Sequence, residues 1–142
     1  MSQDIYQQGI KELAAAENGA GELENADTSV TVDNPLCGDR LTLEIKLEGE
    51  HIAALAHKVR GCLLCRASAS AIGAAAVGAS KGDIDEIQSQ LTAMLKSEAH
   101  PQWSSQWQPL SLFQPVQAHK SRHGCVLLPF KALTQAFRNS SG

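Results

Sequence analysis

The sequence has no surplus of positive charge: 12 Lys and Arg stand against 15 Asp and Glu, a formal net charge of -3. A nucleic-acid partner needs a basic patch or stripe, and no local cluster of that kind interrupts the chain. Long hydrophobic runs are missing as well. The longest apolar stretch, from Ala67 to Ala79, is mostly Ala, Ser and Gly, too short and too polar to cross a bilayer. The first residues, Met-Ser-Gln-Asp-Ile-Tyr-Gln-Gln, lack the basic and apolar blocks of a secretory leader. A soluble, cytoplasmic protein is therefore expected, with neither nucleic acid nor membrane as partner. Cysteine is scarce, at four residues. In a reducing compartment four thiols are metal ligands or reactive groups more readily than a disulfide framework.

What is present suffices for one ordinary core. With 43% hydrophobic residues among 142, and no internal repeat or interdomain linker, residues 1–142 are expected to form a single domain. Ile5, Ile10, Leu13 and Ala14 recur at helical spacing and predict a helix over 4–16, ended by Gly19 and Gly21. Val30 and Val32 alternate with polar residues in a strand over 29–34. Pro35 stops it by removing a backbone donor, leaving Cys37 in a loop. Leu41, Leu43, Ile45 and Leu47 alternate with Thr42, Glu44, Lys46 and Glu48 in a half-buried strand. Across the turn at 48–50, residues 52–59 read as its partner, although three alanines there also suit a helix. Gly61 closes this meander before Cys62.

Small residues dominate 66–80, where Ala67, Ala71, Ala74 and Ala75 would let a helix press closely on the sheet. Asp83 and Glu86 resemble a capping box that opens a second helix through Ile84, Ile87, Leu91 and Leu95, ending before Pro101. The Gln-, Ser- and Pro-rich segment 98–121 is expected to hold one short helix anchored by Trp103, Trp107, Leu112 and Phe113. Pro129 tolerates a helix start nearby, and Phe130, Leu133 and Phe137 form the apolar face of a last helix reaching about Arg138. Cys125 precedes or opens it.

Cys37, Cys62 and Cys125 each fall in a loop after a strand or at a helix start. Such places can converge in space, and a helix N-terminus favours a thiolate through its unpaired N–H groups. Asp39, two residues after Cys37 across Gly38, offers a carboxylate beside them. The alternative is that these cysteines are small buried fillers. Cys62-Leu63-Leu64-Cys65 is the one short pair, open to a redox dithiol reading, but the βαβ pattern of a thioredoxin is lacking. His51, His57, His100, His119 and His123 read as surface or capping residues, with His123 the one placed to serve as an auxiliary ligand or proton carrier. Arg40 and Arg66 flank the cysteines and could steady a thiolate or persulfide, or be solvated charge.

Asn34-Pro35-Leu36-Cys37-Gly38-Asp39-Arg40, Gly61-Cys62-Leu63-Leu64-Cys65-Arg66-Ala67-Ser68-Ala69-Ser70 and Arg122-His123-Gly124-Cys125 with Lys131-Ala132-Leu133 strongly resemble the IscU/SufU (NifU N-terminal-like) family of iron–sulfur assembly proteins. The blocks stand in family order, and the resemblance runs from about Ile5 to Phe137. It implies an α+β fold, a small antiparallel β-sheet covered on one side by helices. Within the family the chain looks more like SufU. The extended 98–121 segment and Arg122 are SufU-like, the Leu-Pro-Pro-Val-Lys segment of IscU is absent, and Gly124 stands where IscU has a histidine.

The resemblance implies that Cys37, Asp39, Cys62 and Cys125 are metal ligands for zinc, iron or a nascent iron–sulfur cluster. Cys37 would accept sulfur from a cysteine desulfurase, with apo iron–sulfur proteins as recipients. Cys65 departs from the family pattern, either as a ligand replacing Asp39 or as a core residue. The N-terminal segment lacks the Asn-Pro that many relatives carry after the first helix. Two other functions compete: a module with purely structural zinc, and a dithiol oxidoreductase using Cys62 and Cys65.

Overall fold

A computed structural model describes residues 8–35, 38–97 and 100–140. The chain runs α1 (Gln8–Ala16), β1 (Thr28–Asn34), β2 (Asp39–Glu48), β3 (His51–Arg60), α2 (Leu63–Ala75), α3 (Lys81–Ser97), a 3₁₀ segment (Ser105–Ala118), a 3₁₀ turn (Lys120–Arg122) and α4 (His123–Ser140). The strands form an antiparallel sheet in the order β1-β2-β3.

Strict alternation in β2 sends Leu41, Leu43 and Ile45 to one face, where each is fully buried. Register carries that face across the sheet. Leu43 lies opposite Val30 of β1 and His57 of β3, and Ile45 and Leu41 lie opposite Leu55 and Val59. Helix α4 packs on β1 and β2, and α2 on β3, so the helices cover the face that alternation makes apolar. The three alanines of β3 do not turn it into a helix, because pairing with β2 along its length outweighs a weak local preference.

Helix α2 is the centre of the helical layer, touching α1, α4 and the long 3₁₀ segment as well as β3. Its small residues permit this. Ser68, deep in the helix, donates its hydroxyl to the Val126 carbonyl of α4 at 2.6 Å. A Cβ on Gly73 would lie 1.9 Å from the Asn18 carbonyl oxygen, so the chain after α1 can cross α2 only over a glycine.

The structure shifts several expected boundaries. Helix α2 starts at Leu63, with Cys62 as its N-cap, and stops at Ala75. The capping box lies three residues earlier than expected: Asp83 N–H donates to Ser80 Oγ and Ser80 N–H donates to Asp83 Oδ2. Helix α4 starts at His123, so Pro129 lies inside it rather than at its start. Having no N–H, Pro129 gives no helical bond back to the carbonyl of residue 125.

The segment after Pro101 holds 14 residues of 3₁₀ helix rather than one short helix. Its buried residues are Trp107, Leu110, Phe113 and Val116, spaced every three residues. In a three-residue turn those side chains eclipse into one straight apolar row. Trp107 packs on Phe130 of α4, ring centres 6.0 Å apart. Among the described residues no helix is long and apolar enough to cross a membrane.

Candidate metal centre

Asp39, Cys62 and Cys125 meet where β2, α2 and α4 begin. A carboxylate oxygen of Asp39 and the sulfurs of Cys62 and Cys125 all lie within 4.8 Å of one another. Three separate elements deliver them. Asp39 is the first residue of β2 and is 1% exposed. Cys62 caps α2, and Cys125 is the third residue of α4, fully buried.

Local geometry fixes Asp39. Its Oδ1 accepts the Cys62 N–H at 2.8 Å, satisfying a donor at the start of α2, and its Oδ2 lies 3.8 Å from Cys62 Sγ. Gly61 makes this possible, since a Cβ there would sit 2.4 Å from Asp39 Oδ1. A tetrahedral zinc ion with bonds near 2.3 Å to sulfur spaces its ligand atoms roughly 3.8 Å apart. The three donors therefore fit such an ion with little movement.

Electrostatics favours a cation here. Two thiols and a carboxylic acid, two of the three residues buried, repel one another once ionised, and desolvation adds to the cost. The two arginines that flank the cysteines in sequence turn elsewhere. Arg40 turns its Nε to Asp33 at 2.7 Å, and Arg66 lines a depression beside His57 instead. Neither of these arginines therefore has a described contact with a cysteine sulfur. A surface hollow of about 370 Å³ opens beside the site, lined by Asn34, Asp39, Arg40 and Arg60 among others.

Cys37 lies outside the described residues. Of its described neighbours, Gly38 donates its N–H to the Asn34 carbonyl at 2.8 Å and adopts φ +72°. Cys65 does not join the described cluster. It is fully buried in the hydrophobic core. No disulfide joins Cys62, Cys65 and Cys125.

Two histidines differ from the surface reading. His123 is 9% exposed, and its Nε2 lies 3.1 Å from the Val116 and Gln117 carbonyls, so it carries the proton there and ties α4 to the 3₁₀ segment. His57 is 4% exposed and donates Nε2–H to the Asn18 carbonyl at 2.7 Å. Its Nδ1 is buried and has no partner. Burial pushes this imidazole below the ordinary value of 6.5, only partly opposed by the Asn18 and Ala69 carbonyls and by Glu17. The alternation Leu55-His57-Val59 could have revealed it, since it places His57 on the core face of β3.

Comparison with known proteins supplies the remaining context. The chain is 24% identical over 137 residues to "Iron-sulfur cluster assembly scaffold protein IscU" of Streptococcus pyogenes, covering 96% of this chain and 85% of that one. It is 26% identical over 138 residues to "Zinc-dependent sulfurtransferase SufU" of Bacillus subtilis, covering 97% and 92%. The fold superposes on a NifU-like N-terminal protein from Brucella abortus with a TM-score of 0.90 at 29% identity, covering 98% and 96% of the two chains. A SUF-system iron–sulfur scaffold candidate from Fervidobacterium islandicum gives 0.83 at 26%, covering 94% and 96%. Residues 5–123 match the model of the NifU-like N terminal domain, and the chain belongs to that family.

Proposed function

We propose that this protein is an iron–sulfur cluster assembly scaffold that holds zinc or a nascent cluster through Cys37, Asp39, Cys62 and Cys125 and takes sulfur from a cysteine desulfurase. The observation that carries the reading is the meeting of Asp39, Cys62 and Cys125 within 4.8 Å, with Asp39 buried and oriented by the α2 N-terminus. Three donors leave one position of a tetrahedral ion open, and Cys37 is joined to Asp39 by two peptide links, about 7 Å at full stretch. The names of the relatives, an assembly scaffold and a zinc-dependent sulfurtransferase, agree with both halves of the reading. We read residues 1–142 as one such domain, working in a reducing cytoplasm and passing its product to apo iron–sulfur proteins.

Zinc supplies Lewis acidity that keeps its cysteine ligands deprotonated. Cys37 is the assigned acceptor because Pro35 and Gly38 bracket it in the sequence, whereas Cys62 and Cys125 are built into helix starts. Its thiolate attacks the terminal sulfur of the desulfurase persulfide. A new S–S bond forms, the enzyme's own S–S bond breaks, and the enzyme cysteine leaves as a thiolate. The dithiol alternative at Cys62 and Cys65 gains nothing from the structure, since Cys65 has no exposed surface for attack.

The test incubates the protein with a cysteine desulfurase and cysteine, alkylates, and locates added sulfur by peptide mass spectrometry. Cys37→Ser is expected to abolish uptake and Cys65→Ser to retain most of it. Wild-type uptake by Cys37→Ser, with loss in Cys65→Ser, would move the reactive centre to the Cys62–Cys65 pair. Metal and acid-labile sulfide analysis of anaerobically purified protein separates zinc from a cluster.

A further inference from the structure

We propose that Asn34 is a positioning residue of this metal centre, its side-chain amide donating to the Cys125 sulfur and thereby setting that sulfur's place and donor strength. The inference rests on the metal-binding reading above. Asn34 ends β1 and pairs across the sheet with Asp39 at the start of β2, so one rung of the ladder presents both the carboxylate and the amide to the site. Its Nδ2 lies 3.9 Å from Cys125 Sγ. Its carbonyl meanwhile accepts the Gly38 N–H at 2.8 Å, which holds the backbone of Asn34 in place.

Helix α4 leaves room for this contact. Gly124 precedes Cys125, and a Cβ on it would sit 3.1 Å from Asn34 Nδ2, closer than side chains ordinarily approach. Nothing in helix formation asks for glycine here: it is about 1 kcal/mol less favourable than alanine inside a helix. Space for the amide accounts for it. A donor aimed at a coordinating sulfur restricts its rotamer and draws electron density from it, and the loss of such outer partners typically weakens metal binding about 10- to 100-fold. At 3.9 Å the contact is long, which places the expected effect near the lower end.

The full chain is tested with Zn²⁺ by competition against a chromophoric chelator, and with Co²⁺ by the sulfur-to-metal charge-transfer band. Asn34→Leu keeps the side chain's branched shape and its number of heavy atoms while removing the amide. It is expected to bind zinc about 10-fold more weakly and to move the cobalt band to lower energy. Asn34→Gln, which keeps the amide, should return the band towards its parental position. Gly124→Ala should likewise weaken zinc binding while the melting temperature of the apo protein holds or rises. A merely structural role for Asn34 would leave the cobalt band unmoved. Parental affinity and an unmoved band in both Asn34→Leu and Gly124→Ala overturn the inference while the metal centre stands. A parent protein that binds neither ion removes the metal centre, and this inference with it. Should Asn34→Leu fail to fold, Gly124→Ala reads the same contact from the other side.

Discussion

Two polar clusters touch helix α2, one at its first turn and one near its last, and they are built on opposite electrostatic terms. At the first, Asp39, Cys62 and Cys125 bring together three groups that ionise with the same sign. At the second, His57 is buried as a neutral ring between the Asn18 carbonyl and the helix, with Ser70 Oγ accepting the Asn18 N–H at 3.1 Å. Both depend on a glycine whose missing Cβ admits a neighbour, Gly61 beside Asp39 and Gly73 beside Asn18. The difference separates a place whose donors suit a cation from a place that holds a loop. Groups that ionise with the same sign favour a bound cation, whereas a neutral ring held by the Asn18 carbonyl calls for none, even with its Nδ1 unpartnered.

The largest expected effect comes from removing the cation. Metal bound only by the folded state stabilises it by about 4 kcal/mol at a free concentration 1,000 times the Kd. For a chain of this length that is roughly 8 to 16 °C in melting temperature. Calorimetry of zinc-loaded protein before and after chelation measures it. An unchanged transition after verified metal loss would mean that the centre does not tie β2, α2 and α4 together.

Exchanging the two glycines divides the clusters further. Gly73→Ala drives a Cβ into the Asn18 backbone and is expected to cost about 1–3 kcal/mol of stability, with zinc affinity unchanged. Gly61→Ala displaces the Asp39 carboxylate and should weaken zinc about 10-fold, taking displacement of one ligand as comparable to the loss of an outer partner. Its effect on apo stability should be the smaller of the two. Denaturant titration beside chelator competition reads both quantities, and an effect of Gly73→Ala on zinc would erase the distinction.

The smallest effect is that of pH on the second cluster. Burial depresses the folded-state pKa of His57, so the unfolded chain binds this proton more readily. Its contribution to stability is therefore full above about 6.5 and is lost as pH falls from there towards the folded-state value. His57→Phe removes the titrating group, and the fall in denaturation midpoint between about pH 7 and pH 5 should be shallower than in the parent. An equal slope in both proteins would assign the pH dependence elsewhere.

The β-meander was legible in the sequence because period-2 alternation and Gly-marked turns are local signals, and the apolar face of β2 follows from Leu41, Leu43 and Ile45 alone. Proximity was less legible. Cys62 and Cys125 are far apart in the chain, and nothing local brings them together; the motif resemblance singled them out, and the packing of α4 against α2 and β1 supplies the geometry. The capping box was misplaced because Asp83 matches two patterns at once. It can open a helix with Glu86 or close a box with Ser80, and the second wins when α3 begins at Lys81. His57 was read as a surface or capping residue by its type, although its position between Leu55 and Val59 placed it inside. The role of Asn34 has no local signature, because it depends on a glycine 90 residues away.

The straight row of Trp107, Leu110, Phe113 and Val116 restricts how the chain can change length there. Each residue of a 3₁₀ helix turns the chain by about 120° and advances it by about 2 Å. Inserting or deleting one residue would swing every later anchor a third of a turn away from α3 and α4; a deletion would set Ser111, Gln114 and Gln117 against the core, and an insertion Pro109, Leu112 and Pro115. A change of three residues would leave the row facing inward and alter only its span, by about 6 Å. Length variation in this segment is thus expected to come in threes, a reading frame written in packing rather than in codons.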